Sequence, residues 1–272
     1  MGEHNTWWDY LPGYQNLVSY LQGPLGRKWR FMMFQDSHFT LSHVFSVALV
    51  FLFLCIGAIA YNRGVSKGGR DAIVPPPRWS LRNLMETFTE AIFSTMVGVM
   101  GEKNARKYLK LVGTLAFFIF FANLLALVPG FAPPTDTLKT NVALSLVVFV
   151  MTHVYGVWEN GIGYFKHFLG PKLYLAPLML PIEIVSHLAR PVSLALRLMG
   201  NMLSDHKVVF AFFALVPLLL PVPFMLLGLM VVIVQTLVFT LLTMVYISMA
   251  VAHHDHEDSE EGHGHGDAAH AH

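Results

Sequence analysis

The chain has 272 residues, 54% hydrophobic and only 13% charged, with a formal net charge of +1 and a mean hydropathy of +0.53. A soluble domain usually carries about a quarter of its residues as charges, so the missing charge points to long uncharged stretches. The near-neutral balance, with no basic cluster, excludes a groove for nucleic acid, and the single cysteine, Cys55, excludes an internal disulfide.

In chain order, residues 1–40 come first. They lack the basic-then-apolar pattern of a cleaved signal peptide, and their Trp and Tyr suit a segment resting at the outer headgroups. A hydrocarbon core about 30 Å thick takes roughly 20 apolar helical residues. Candidate spans are Leu41–Tyr61, Leu109–Val128, Val142–Trp158, Leu175–Leu220 and Val222–Ala252. Between the first two, Trp79–Lys110 mixes Leu84, Met85, Phe88, Ile92 and Phe93 with Arg82, Glu86 and Glu90, the pattern of an amphipathic helix at the interface. The third span is short. The fourth exceeds one upright crossing and holds Glu183, His187, Arg190, Arg197, Asp205 and His206, so it must tilt and keep those groups against protein or water.

The expected fold is an all-α integral membrane protein of about five spans plus one interfacial helix. The membrane domain covers 41–252, and a disordered tail follows over 253–272. That tail is rich in His, Asp, Glu and Gly. Incidental metal affinity in a solvated end is preferred there over dedicated metal capture.

Basic residues set the orientation. Arg63, Lys67, Arg70, Arg78, Arg82, Lys103, Arg106, Lys107 and Lys110 all follow the first span, whereas only Lys139 follows the second. The positive-inside bias therefore places the amino terminus outside and the carboxyl terminus in the cytoplasm.

At about 100° per residue, Glu183, Ser186, Arg190, Ser193, Asn201 and Ser204 all fall within about 40° of Arg197, on a helix otherwise lined by Leu, Ile and Val. Asp205 lies about 80° away and His206 about 180° away, so the helix has two polar surfaces that could serve two aqueous paths. Arginine at mid-membrane costs at least a few kcal/mol and cannot shed its charge. Snorkelling is poor for Arg197 in so long a segment, and a static pair with Glu183 or Asp205 would itself be costly. Arg197 is therefore the leading functional candidate. In the last span, Gln235 is the most polar residue for several turns, with Gly228 and Tyr246 within about 20° of it. That face could meet the arginine stripe, or Gln235 could serve only as an interhelical hydrogen bond. His153 and His187 are single histidines on apolar faces, read as hydrogen-bonded core residues rather than metal ligands. No nucleophile elbow, phosphate loop or paired metal motif occurs within the spans, so neither cofactor nor metal is expected.

The run from Arg190 through Arg197 to Met202, Arg-Pro-Val-Ser-Leu-Ala-Leu-Arg-Leu-Met-Gly-Asn-Met, closely resembles the signature of subunit a of F-type ATP synthases. Gln235 to Ser248 looks like the last helix of the same family, and Asn123-Leu124-Leu125 and Pro181-Ile182-Glu183 join the resemblance, which covers roughly Leu41 to Ala252. It implies a stator subunit in a bacterial inner membrane, beside a rotating ring of c subunits and the b subunits of the peripheral stalk. Such a subunit passes an ion, here taken as a proton, between two half-channels and has no nucleotide chemistry of its own.

In that family Arg197 matches the arginine that separates the half-channels and displaces the ion from the c-subunit carboxylate. Asn201, Ser193 and Gln235 match residues lining the contact, and Glu183 matches a carboxylate on the cytoplasmic side. The chain departs from the pattern where other members have inlet carboxylates. His206, Gly228 and Ala126 stand there, and Thr137-Leu138-Lys139-Thr140-Asn141 replaces an Asp-x-Asn-x-Thr stretch. The outer inlet is then expected to use His206, with His43 or Asp205 as partners, and Asn123 is counted with the ion-translocating residues. Two other classes compete. A secondary transporter using Arg197 to bind an anion should show an internal repeat, and none is found. An intramembrane metalloenzyme needs paired ligands within a span, whereas the histidines concentrate in the tail.

Overall fold

The structure, a computed structural model, describes residues 7–25, 41–68, 81–128, 131, 133–161, 163–164, 176–215 and 221–251. The side chains of some helical residues, Asp205 and His206 among them, lie outside the described set, as does the tail expected over 253–272.

Among the described residues six α-helices carry the fold: α1 (Tyr14–Leu25), α2 (Ser42–Gly68), α3 (Leu81–Leu124), α4 (Leu138–Asn160), α5 (Ala176–Leu215) and α6 (Pro221–Val251). No strand occurs among the described residues. Among the described residues four stretches, Ser42–Arg63, Arg82–Leu127, Leu138–Asn160 and Pro223–Val251, are long and apolar enough to cross a membrane. Helices suit this setting because every mid-helix amide bonds within its own segment and none needs water. The outer faces agree: Phe51, Leu52 and Ile56 on α2, Val150 on α4, and Leu226 and Met230 on α6 are all exposed. That much bare apolar surface suits lipid or a partner. The chain is an all-α integral membrane protein.

Helix α3 differs in detail from the sequence expectation. It is two helical arms joined at Gly101, whose φ of 77° and ψ of 161° break the helix. Glycine reaches that left-handed region without the clash a Cβ brings. The arms lie antiparallel, with Phe88 against Phe117 at 4.6 Å and Phe120 at 5.0 Å. Ile92, Met96 and Met100 of the first arm form one buried cluster with Ala105, Tyr108, Val112 and Ala116 of the second and Met244 and Ile247 of α6. The apolar face of the amphipathic stretch is thus covered by protein, and the second arm begins near Glu102 rather than at Leu109. Lys103, Arg106 and Lys107 follow the corner directly and are exposed.

Helix α3 packs chiefly on α6, α4 on α5, and α2 on α3. Leu194 and Leu198 of α5 meet Leu115 and Ile119 of α3, Val148 of α4 and Phe239 of α6 in a second core. Polar ties close both ends. At one, Lys107 and Tyr108 both bond Glu159, the tyrosine at 2.9 Å, and Asn160 Nδ2 donates to the Ala250 carbonyl at 2.9 Å. At the other, the turn Pro134–Asp136 is wedged among α2, α3, α4 and α5.

Candidate functional site

Helix α5 runs forty residues with Pro181 and Pro191 inside it. Each proline removes one backbone bond, a loss that neighbouring helices can absorb in a packed membrane bundle. Below the second proline, Leu194, Ala195, Leu198 and Met202 are buried. Ser193, Leu196, Arg197, Gly200, Asn201 and Ser204 are exposed. Arg197 therefore stands on an open face that it shares with Ser193, Gly200, Asn201 and Ser204. No ion pair involves it among the described residues.

Asn201, one turn further along, connects this face to the interior. Its Nδ2 donates to Gln235 Oε1 at 2.7 Å, and Gln235 is buried at 3% exposure. The arginine and glutamine blocks, far apart in sequence, are thus joined by a hydrogen bond. On α6, Thr236, Thr240 and Thr243 send their hydroxyls to carbonyls four residues back, so this stretch of polar residues is satisfied locally. Gly228 is buried, and a Cβ there would lie 3.1 Å from Leu127 Cδ2. A longer side chain at this position would meet Leu127.

The upper part of the expected stripe behaves differently. Arg190 is half-buried, with its guanidinium 5.4 Å from the centre of the Tyr246 ring. Glu183 Oε1 is 3.2 Å from His187 Nε2. The His187 ring lies 5.2 Å from that of His153 on α4, in edge contact, and Tyr164 meets His153 edge-on at 5.9 Å. Tyr164 can reach there because Gly156 lets its ring approach. A Cβ on Gly156 would fall 2.5 Å from the ring. Burial raises the Tyr164 phenol pKa, with Arg190 drawing it down and Glu183 pushing it up, so the phenol stays neutral.

A third polar set lies at the wedged turn. Asn123, Thr135 and Asn141 are all fully buried. Thr135 Oγ1 donates to Asn123 Oδ1 at 2.8 Å, and Asn141 Nδ2 donates to the Thr135 carbonyl at 2.7 Å. Asn123 Nδ2 and Asn141 Oδ1 have no hydrogen-bond partner among the described residues. Two orphaned amide atoms in one small cluster mark a place that could accept further polar groups. His43 is half-buried on α2, a helix that also touches this turn.

Of the residues singled out in the sequence, the structure joins Asn201 to Gln235 and leaves Arg197 and Ser193 on the open face. It places Glu183, a third exposed, in a separate cluster beside His187 and Asn123 in the turn cluster. The side chain expected of His206 lies outside the described residues. Sequence reasoning missed the meeting of His153 with His187, and the role of Thr135. Among the described residues no group of three or more His, Cys, Asp or Glu could hold a metal ion.

Comparison with known proteins adds a family. The family described as ATP synthase A chain matches residues 40–248. The chain is 52% identical to ATP synthase subunit a 1 of Syntrophotalea carbinolica over 208 residues, covering 76% of this chain and 85% of that protein. It is 43% identical to ATP synthase subunit a of Bdellovibrio bacteriovorus over 199 residues, 73% of this chain and 86% of the relative. With ATP synthase subunit a of Sorangium cellulosum the identity is 42% over 204 residues, 75% and 80% of the two chains.

Proposed function

Because the chain belongs to the ATP synthase A chain family, we propose that it is the proton-translocating stator subunit of the membrane sector of an F-type ATP synthase. Its partners are a ring of c subunits, each with a mid-membrane carboxylate, the b subunits of the peripheral stalk, and lipid. Nucleotide chemistry belongs to other subunits. The setting is a bacterial inner membrane, amino terminus outside and carboxyl terminus in the cytoplasm, as the basic residues after the first span favour.

One observation carries the reading: Arg197 is a permanent cation exposed on a membrane helix, with no ion pair among the described residues. A charge placed there costs about 3 kcal/mol in lipid, so the site calls for a partner of opposite sign. A ring carboxylate supplies it. As the carboxyl arrives protonated, the guanidinium favours its ionised form, and the proton leaves. Because an arginine guanidinium keeps its proton throughout the physiological range, it cannot itself take the proton and pass it across. The two half-channels are then separated by a charge that never neutralises.

Two polar sets supply the paths. Asn123, Thr135 and Asn141, with His43 and with His206 by its place on α5, serve the outer one. Glu183, fourteen residues before Arg197 and so about 21 Å along a helix, serves the cytoplasmic one. Ser193, Asn201 and Gln235 line the contact around the arginine.

The test is substitution of Arg197 in the whole complex. Arg197→Ala is expected to abolish proton-driven ATP synthesis while the complex still assembles, and to make the membrane leakier to protons. Arg197→Lys is expected to fail too, because lysine can deprotonate in a desolvated site and lacks the planar fork. Normal synthesis with lysine would contradict the requirement for a fixed cation.

A further inference from the structure

We infer that the basic corner of α3, carried by Lys103, Arg106, Lys107 and Lys110, is a docking surface for residues 255–261, the acidic stretch of the chain's own carboxyl-terminal tail. The contact lies apart from Arg197, and it stands or falls separately from ion passage there.

The corner begins at the helix break at Gly101. At about 100° per residue the four basic side chains fall within about 100° of one another on the second arm of α3, and all four are exposed. Two carboxylates answer them. Glu102 Oε1 lies 2.7 Å from Arg106 Nη2, and Glu159 of α4 bonds Lys107. Lys103 and Lys110 have no ion pair among the described residues. Positive charge is therefore left over on this side of the arm.

The tail leaves the bundle at the same place. Val251, the last residue of α6, packs against the buried cluster that contains Met100, Ala105 and Tyr108 of α3. Asn160 Nδ2 holds the Ala250 carbonyl at 2.9 Å, and the neighbouring Glu159 bonds both Lys107 and Tyr108. The end of α6 is thus fixed beside the basic arm. Beyond it, Asp255, Glu257, Asp258, Glu260 and Glu261 come in quick succession, and no lysine or arginine follows. Asp255 is four residues past Val251, a reach of up to about 14 Å. Lys103 and Lys110 lie only about 6 and 5 Å along the helix from Lys107.

A single exposed ion pair adds little, and charges more than about 8 Å apart are screened at physiological salt. Two features favour the contact all the same. Attachment to α6 gives the carboxylates an effective concentration on the order of millimolar at the corner. Several carboxylates can also exchange among several cations, so no one geometry has to be held. Phosphate headgroups of anionic lipids are the competing occupant, and they lack the tether. A docked tail neutralises the corner from within the chain and pins the end of α6 to α3.

The test uses the complete complex in native membranes and a water-soluble carbodiimide, which joins an amine to a carboxylate in contact with it. Mass spectrometry is expected to find Lys103 or Lys110 joined to residues 255–261 at low salt. These links are expected to be lost at about 1 M salt, where the Debye length is about 3 Å. In a variant with the five carboxylates replaced by Asn or Gln, which leaves every described contact intact, Lys103 and Lys110 are expected to be acetylated several-fold faster than in the parent. No such link at low salt, links undiminished by salt, or links to another subunit in their place would overturn the docking. Unchanged acetylation in the variant would overturn it too, and if slow would mark a lipid headgroup or a neighbouring subunit as the occupant.

Discussion

Arg190 and Arg197 occupy nearly the same direction on α5, about two turns apart, yet their surroundings differ. Arg190 is half-buried, with Tyr246 under its guanidinium and Glu183 and His187 close by on the same helix. Arg197 is exposed, on a face it shares with Ser193, Gly200 and Asn201. One cation lies over a ring of its own chain, and the other has no ion pair among the described residues. A helical face is therefore no uniform site; what covers it at each level decides the role of each residue.

The largest effect that could break this comparison comes from replacing each arginine by alanine. Arg197→Ala is expected to remove coupling entirely and leave thermal stability in detergent unchanged or raised, because an unpaired charge is deleted. Arg190→Ala is expected to leave part of the coupling and lower stability by about 1 kcal/mol, the range of a cation–π contact. Thermal unfolding of the two purified variants checks it. A loss of stability with Arg197→Ala that matches the loss with Arg190→Ala would erase the distinction.

A smaller effect sharpens it. The Asn201–Gln235 bond ties the open face to the core, and interhelical hydrogen bonds in membranes average about 0.6 kcal/mol. A double-mutant cycle with Asn201→Ala and Gln235→Ala is expected to give a coupling energy near that value. A coupling energy of zero would mean that the two residues do not act together.

Much of this was legible in the sequence, and the reasons differ by feature. Hydropathy marked α4, α6 and the start of α2 to within a few residues, because lipid imposes long apolar runs whatever the packing. The arginine stripe and the Gln235 face emerged from helical periodicity alone, and the Asn201–Gln235 bond joins them. Gly101 was missed because Trp79–Lys110 reads as amphipathic whether its apolar face meets lipid or a second helix. The meeting of His153 with His187 was illegible for a different reason: periodicity orders residues on one helix, whereas this contact joins two. The same limit hid Thr135, whose hydroxyl and carbonyl connect Asn123 of α3 to Asn141 of α4.

The central claim is that the Arg197 face is held against the c-subunit ring, and cysteine cross-linking tests it most directly. Cys55 is first replaced by Ser. Single cysteines then go in at Leu196 and Gly200, both exposed beside Arg197, and at Leu198, which is buried. Paired with a cysteine near the c-subunit carboxylate, the first two positions are expected to cross-link to the ring subunit in native membranes, and Leu198→Cys is not. Cross-linking from Leu198→Cys alone, or from none of the three in a complex that still makes ATP, would contradict the account.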